Sequence, residues 1–271
     1  MLVSRVLVAL VGLPLIVLLL FRWPTVFAVL LALALLAAAW EYRGLWPADA
    51  RLAPGWFLTG VALALLPRVA AAGPEAALLG LLLAAMLYLT LALRAYERGH
   101  DAAPRDAAYA ALGALMFGGL GGYLLALQHL PAGPWAVLWV LSTVWVADSA
   151  AYFVGQAWGR HPLAPRLSPR KTWEGLVGGV LLGTLYAGAL FPAVAARWGF
   201  DPPASPWVGW GLGLLLTLLT PLGDLAESMF KRAARQKDSG HLLPGHGGLF
   251  DRMDSWLWAG VLGYAWLTLF V

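Results

Sequence analysis

The chain has 271 residues, 61% hydrophobic and 12% charged, with 18 lysines and arginines, 14 aspartates and glutamates and no cysteine. Soluble domains carry roughly 25% charged residues, so an ordinary soluble domain is excluded, and the missing thiols exclude disulfides, iron–sulfur centres and a cysteine nucleophile. The formal charge of +4 in so apolar a chain points to anionic lipid headgroups or a nucleotide rather than to nucleic acid.

Apolar runs near the length of a bilayer crossing recur from end to end. The first, Val6 to Phe21, contains Pro14, and no Ala-x-Ala-type cleavage site follows it, so it is expected as a retained crossing. Arg22-Trp23-Pro24 turns the chain into a second run, Thr25 to Trp40. At 16 residues each, both are short for a crossing: they read as two tilted crossings extended by snorkelling Arg5 and Arg22, or as a hairpin that does not fully cross. Glu41 to Arg51 reads as a polar loop. Trp56 to Leu66 with its flanks gives a third run and Glu75 to Leu93 a fourth, followed by a polar stretch from Arg94 to Asp106. Ala107 to Leu127 is the fifth, with Gly118-Gly119 and Gly121-Gly122 marking close helix packing. Trp135 to Val154 is the sixth and carries Asp148 inside it. A basic loop, 155–171, precedes a Gly-rich seventh run, Thr172 to Arg197. Trp207 to Leu222 is the eighth. A long polar stretch, 223–255, leads into the ninth, Trp256 to Val271.

Nine crossings put the termini on opposite sides. Fifteen of the eighteen basic residues then fall on the side of the N-terminus, and only Arg22, Arg68 and Arg197 on the other. The positive-inside rule makes the rich side cytoplasmic. The expected fold is therefore all-α: a polytopic integral membrane protein of about nine transmembrane helices, N-terminus in the cytoplasm. Residues 1–134 read as a transmembrane scaffold. Residues 135–271 read as the catalytic region, with its loops 155–171 and 223–255 on the cytoplasmic face.

The chemistry is concentrated in three places. Asp148 is an acid within an apolar run, which costs a few kcal/mol on insertion scales; it reads either as a helix-end acid reaching water or as a metal or substrate contact. Ser168-Pro169-Arg170-Lys171-Thr172-Trp173-Glu174-Gly175 places two cations at the start of a helix, where the dipole and free N–H groups favour an anion such as phosphate. Its bland reading is a topology signal. The third place holds five acids and five bases between Pro221 and Ser255. If the eighth helix continues past Gly223, Asp224, Glu227, Ser228 and Lys231 share one face. Pro244-Gly245-His246-Gly247-Gly248 lets backbone N–H groups approach an anion. Asp251 and Asp254, three residues apart, can aim one way and with Asp224 offer the oxygen ligands Mg²⁺ prefers. A charged cytoplasmic loop is the bland alternative.

Ser228-x-x-Lys231-Arg232-x-x-x-x-Lys237-Asp238 followed by Pro244-Gly245-His246-Gly247-Gly248-x-x-Asp251-Arg252-x-Asp254 resembles the C-terminal motif of the phosphatidate cytidylyltransferase (CDP-diacylglycerol synthase) family. The likeness reaches upstream to Pro221-Leu222-Gly223-Asp224, to Ser168 through Gly175 and to Asp148-Ser149-Ala150-Ala151-Tyr152; Arg170 stands where family members often have Lys. It is specific from about Trp145 to Ser255. The resemblance implies Mg²⁺-dependent transfer of a cytidylyl group from CTP to phosphatidate, giving CDP-diacylglycerol and pyrophosphate in phospholipid biosynthesis. It implies a catalytic set of Asp224, Lys237, Asp238, His246 and Asp251, and metal on Asp224, Asp251, Asp254 and Asp148, as one or two ions. Substrate contacts fall on Ser168, Lys171, Thr172, Ser228, Lys231, Arg232, Lys237, Gly247 and Arg252. It further implies a homodimer in the cell inner membrane, working on membrane lipid, with no nucleic-acid partner. Two alternatives stay open: a CTP-dependent enzyme acting on an ether lipid or a lipid alcohol, and an anion transporter, which intramembrane Asp148 and Gly-rich helices also suit.

Overall fold

The computed structural model describes residues 14–131, 133–240 and 247–271. Helix α1 is seen over 14–22; the start of the first apolar run lies outside the described residues. Helices α2 (Pro24–Gly44), α3 (Pro54–Val69) and α4 (Pro74–Glu97) each open on a proline. Proline at the first helical position is preset in φ, and its missing N–H would have had no partner there. Helix α5 spans Ala103–Gln128 and α6 Gly133–Trp158. A short antiparallel hairpin follows, β1 (Pro162–Ala164) with β2 (Ser168–Thr172), Pro162 opposite Thr172. Helices α7 (Trp173–Trp198), α8 (Trp207–Ala233) and α9 (Phe250–Phe270) complete the chain.

Six of these helices, α2 and α4 to α8, are long and apolar enough to cross a membrane; α3 is apolar but shorter. Several differ from the sequence expectation in length. The second run, expected at 16 residues, is a helix of 21, because Glu41 to Gly44 continue it. α8 does not stop at Leu222 but continues to Ala233 beyond Pro221. α9 starts at Phe250, six residues before Trp256. Much of the stretch read as a polar loop, 223–255, is therefore helix. The 155–171 loop is shorter too, since α6 reaches Trp158 and the remainder folds as the hairpin. That hairpin corrects the expectation of a purely helical chain. Pro162 and Pro169 break helix there, and among the described residues the two strands pair with each other alone.

Packing divides the chain into two compact units, with α9 running through both. One unit holds the described residues up to Ala126 together with Ala233–Met253. Its core is aromatic: Tyr42, Phe57, Phe117 and Phe250 are fully buried, with ring centroids of Phe117 and Phe250 5.1 Å apart. In α5 the helix loosens to a wider turn over Ala114–Leu120, and a side chain at Gly118 would run into Ala64 of α3. Gly118 and Gly122, one from each glycine pair, mark close packing against α3.

The second unit holds Leu127–Arg232 and Asp254–Val271. Here α6 and α7 pack through small residues: a Cβ on Gly175 would meet the Ala151 carbonyl at 2.6 Å, and one on Gly179 would meet the Ala147 carbonyl at 2.9 Å. Gly183 lies where α6, α7 and α8 converge, and its Cβ would stand 2.9 Å from that of Ala147. Gly183→Val should therefore lower the thermal midpoint in detergent, at a cost of about 1–3 kcal/mol for overpacking; an unshifted melting curve would contradict this packing. The close approach positions the site, because Asp148 lies on α6 and Lys171 lies two residues before α7.

Candidate active site

In the second unit, three side chains from two helices converge. Asp224 and Glu227 come from α8 and Asp254 from α9, and each offers a carboxylate oxygen within 4.8 Å of the others. Among the described residues this is the acidic group close enough to hold a metal ion. The spacing of Asp224 and Glu227, one turn apart, puts both on one helix face. α9 comes close to α8 because Gly223 has no side chain; a Cβ there would meet the Asp254 carbonyl at 2.6 Å. Glu227 is 1% exposed, and its Oε2 is 2.5 Å from Lys231 Nζ on the next turn. Asp224 Oδ2 is 2.5 Å from Lys171 Nζ, and Ser228 Oγ donates to Asp224 Oδ1 at 3.5 Å. Asp148 is not one of the three, but Asp148, Lys171, Asp224 and Asp254 lie within range of one another's charge.

The hairpin delivers Lys171. Thr172 ends β2 and caps α7, its Oγ1 accepting from the Gly175 N–H at 3.1 Å. This hydroxyl is thus a helix cap in the structure, of a kind worth about 1 kcal/mol. Glu174 fastens the base of the hairpin: its Oε2 accepts from the backbone N–H groups of Arg160 and His161, and Oε1 is 2.6 Å from His161 Nδ1. Arg232 Nε donates to the Leu167 carbonyl at 3.4 Å, joining the end of α8 to the hairpin turn. Ser168 is half-buried on β2 and Arg170 is exposed. Arg170 and Lys171 therefore lie at the N-terminus of α7, as their sequence suggests, on the strand that leads into its Thr172 cap.

The first unit holds the remaining motif residues. Lys237 and Asp238 are exposed. Asp251 Oδ2 accepts from the Gly248 N–H at 2.7 Å and the Ser239 N–H at 3.0 Å, holding Ser239 beside the start of α9. Gly247 has φ +78, and a Cβ on it would stand 3.0 Å from Asp251 Oδ2 and 3.8 Å from Asp238 Oδ1. Both the left-handed backbone and the space favour glycine there. Arg252 is exposed on the first turn of α9. His246 lies outside the described residues.

Two residues emerge that sequence reasoning did not assign. The sequence places Glu227 on the polar face without marking it as a metal acid, and its i+3 spacing from Asp224 is the signal that could do so. Glu174 was read as a helix starter, and nothing local shows that it reaches back 13 and 14 residues to the hairpin base.

Residues 3–270 match the sequence profile of the Cytidylyltransferase family. The chain is 44% identical over 142 residues to a Brucella suis protein named phosphatidate cytidylyltransferase, covering 52% of this chain and 49% of that one. It is 42% identical over 137 residues to a Mycobacterium leprae protein of the same name, covering 51% and 42%. Against the Haemophilus influenzae protein of that name it is 39% identical over 151 residues, covering 54% and 51%. The matched segment spans about half the length of each relative, while the family profile runs almost from end to end. The chain belongs to the cytidylyltransferase family.

Proposed function

We propose that the chain is a phosphatidate cytidylyltransferase, transferring the cytidylyl group of CTP to phosphatidate with release of pyrophosphate. The observation that carries this is the mixed charge of the site: a triad of acids with lysines on two of them, Lys171 on Asp224 and Lys231 on Glu227. Such a site suits a ligand that brings both charges, a divalent cation with a polyphosphate: the acids turn to the cation and the lysines to the phosphate. The names of the relatives supply the lipid.

The acids fit a hard divalent ion because all three are oxygen donors. Asp224, Glu227 and Asp254 would hold Mg²⁺, with Asp148 and Asp251 as further acids of the predicted set. When bound, Mg²⁺ offsets the repulsion between two anionic substrates and the charge on the leaving group. In the reaction a phosphatidate oxygen forms a bond to the α-phosphorus of CTP. The bond from that phosphorus to the β-bridging oxygen breaks, and pyrophosphate departs with the electron pair. The nucleophile is already ionised at neutral pH, so the chain need not supply a strong base, and His246 is not assigned that role. Lys171, Lys231, Arg232 and Lys237 place positive charge against phosphate oxygens, where it counts most as charge develops. Ser168, Thr172, Ser228, Gly247 and Arg252 line the proposed substrate surfaces, and Asp238 orients its neighbours.

The same reading carries nine crossings, an N-terminus and active site in the cytoplasm and a homodimer in the cell inner membrane. The charge asymmetry of the sequence supports the orientation, and the family resemblance supports the dimer. Purified protein given labelled CTP, phosphatidate and Mg²⁺ should release pyrophosphate and form CDP-diacylglycerol in equal amounts, stop with EDTA and resume with excess Mg²⁺. Transfer of the γ-phosphate alone, or turnover of a lipid alcohol in place of phosphatidate, would overturn the assignment.

A further inference from the structure

We propose that Glu41, on the helix α2 of the region read as scaffold, is a positioning residue that holds Ser239, and with it Lys237 and Asp238, against the start of α9. The proposal rests on the reading of Lys237, Asp238 and Asp251 as working residues of cytidylyl transfer.

Glu41 lies in the last turn of α2 and is 5% exposed. Its Oε2 accepts from the Phe250 N–H at 2.8 Å and from Ser239 Oγ at 3.3 Å. These contacts span 209 and 198 residues of sequence. Phe250 is the first residue of α9, where backbone N–H groups have no partner within the helix. Glu41 therefore caps α9 from another part of the chain, and the positive end of the helix favours its charge. Two glycines make room for it. A Cβ on Gly240 would run into Oε1, and one on Gly248 into Ser239 Oγ and Oε2.

Asp251 binds the same two places from the other side, through the N–H groups of Ser239 and Gly248. Two carboxylates, one from α2 and one from α9, thus staple Ser239 to the Gly248–Phe250 segment. Lys237 and Asp238 directly precede the stapled Ser239. Among the described residues, Glu41 Oε1 is buried without a hydrogen bond. A buried carboxylate left half satisfied is costly, and aromatic packing alone would seat Phe250 between Tyr42 and Phe117. What the carboxylate adds is a fixed register between Ser239 and the start of α9.

Hydrogen exchange across 237–251 and steady-state kinetics with varied CTP, both on purified full-length protein in detergent, test this. Glu41→Ala should speed exchange in that segment while other helices keep their protection, and should lower kcat at least tenfold with a smaller change in KM for CTP. Glu41→Gln keeps one acceptor oxygen for Phe250 and Ser239 and should restore the protection and bring kcat within about threefold of the parent. Ser239→Ala, which removes one of the two contacts, should show an intermediate loosening. Unchanged loop exchange and turnover in Glu41→Ala would overturn the proposal. So would loss of protection throughout the molecule with Ser239→Ala silent, which would make Glu41 a residue of the fold alone. If the parent turns over neither CTP nor phosphatidate, the function assignment fails, while the exchange data still decide whether Glu41 holds the loop.

Discussion

Asp224→Asn should lower cytidylyl transfer on the order of 10³-fold while leaving the protein folded. Asparagine keeps the shape of the side chain and an oxygen for Ser228. It removes the charge that faces Lys171 at 2.5 Å and that joins Glu227 and Asp254 within 4.8 Å. Losing one preorganised electrostatic partner of a transition state costs about 10²–10³, and a metal acid belongs at the upper end. The same change should not weaken the metal-free protein, because three like charges so close repel one another. Asp254→Asn should act likewise, and melting in the presence of EDTA should give a midpoint equal to or above that of the parent. Mg²⁺ should raise the parent's midpoint and leave that of either variant almost unmoved, since only an ion that binds the folded state stabilises it. Near-normal Mg²⁺-dependent turnover in Asp224→Asn would remove this acid from the metal site.

Lys171→Met should lower kcat/KM about 10²-fold and should do so at saturating Mg²⁺. Methionine retains an apolar stem of similar length and loses a cation that pairs with Asp224 and whose charge reaches Asp148 and Asp254. Lys171→Arg should recover only part of the loss. The guanidinium keeps the charge but is broader and planar, and it would have to fit where Lys171 is only half exposed on its strand. Initial rates over a matrix of CTP and phosphatidate concentrations measure both effects. Parental kinetics in Lys171→Met would confine the site to α8 and α9.

The site could be read from sequence where its residues are near neighbours along a helix. Asp224, Glu227, Ser228 and Lys231 repeat at helical spacing, and α8 does carry them on one continuous helix to Ala233. The apolar runs gave the helices their places, but their ends were short wherever a polar residue extends a helix past the apolar zone, as Glu41 and Asp224 do. Hydropathy marks where water begins, and a helix does not end there. The hairpin was invisible for a related reason. Three residues paired with five leave no alternating pattern, and the fastening by Glu174 depends on a fold that brings Arg160 and His161 to it. Glu41 shows the limit most plainly. A lone acid at the end of an apolar run reads as the start of a loop, and only its contacts with Ser239 and Phe250 set it apart.

Helix α7 also acts as a ruler. Its first and last residues, Trp173 and Trp198, are both exposed. Its 26 residues rise about 39 Å, enough for a hydrocarbon layer of roughly 30 Å and part of the headgroup zone on either side. Indole rings settle at those two levels. On the proposed function, Lys171, two residues before Trp173, would lie at the depth of the lipid phosphates. On that geometry a phospholipid would meet the site by drifting sideways in its own leaflet, without being lifted from the bilayer. The nucleotide, arriving from water, would be the substrate that descends to the lipid.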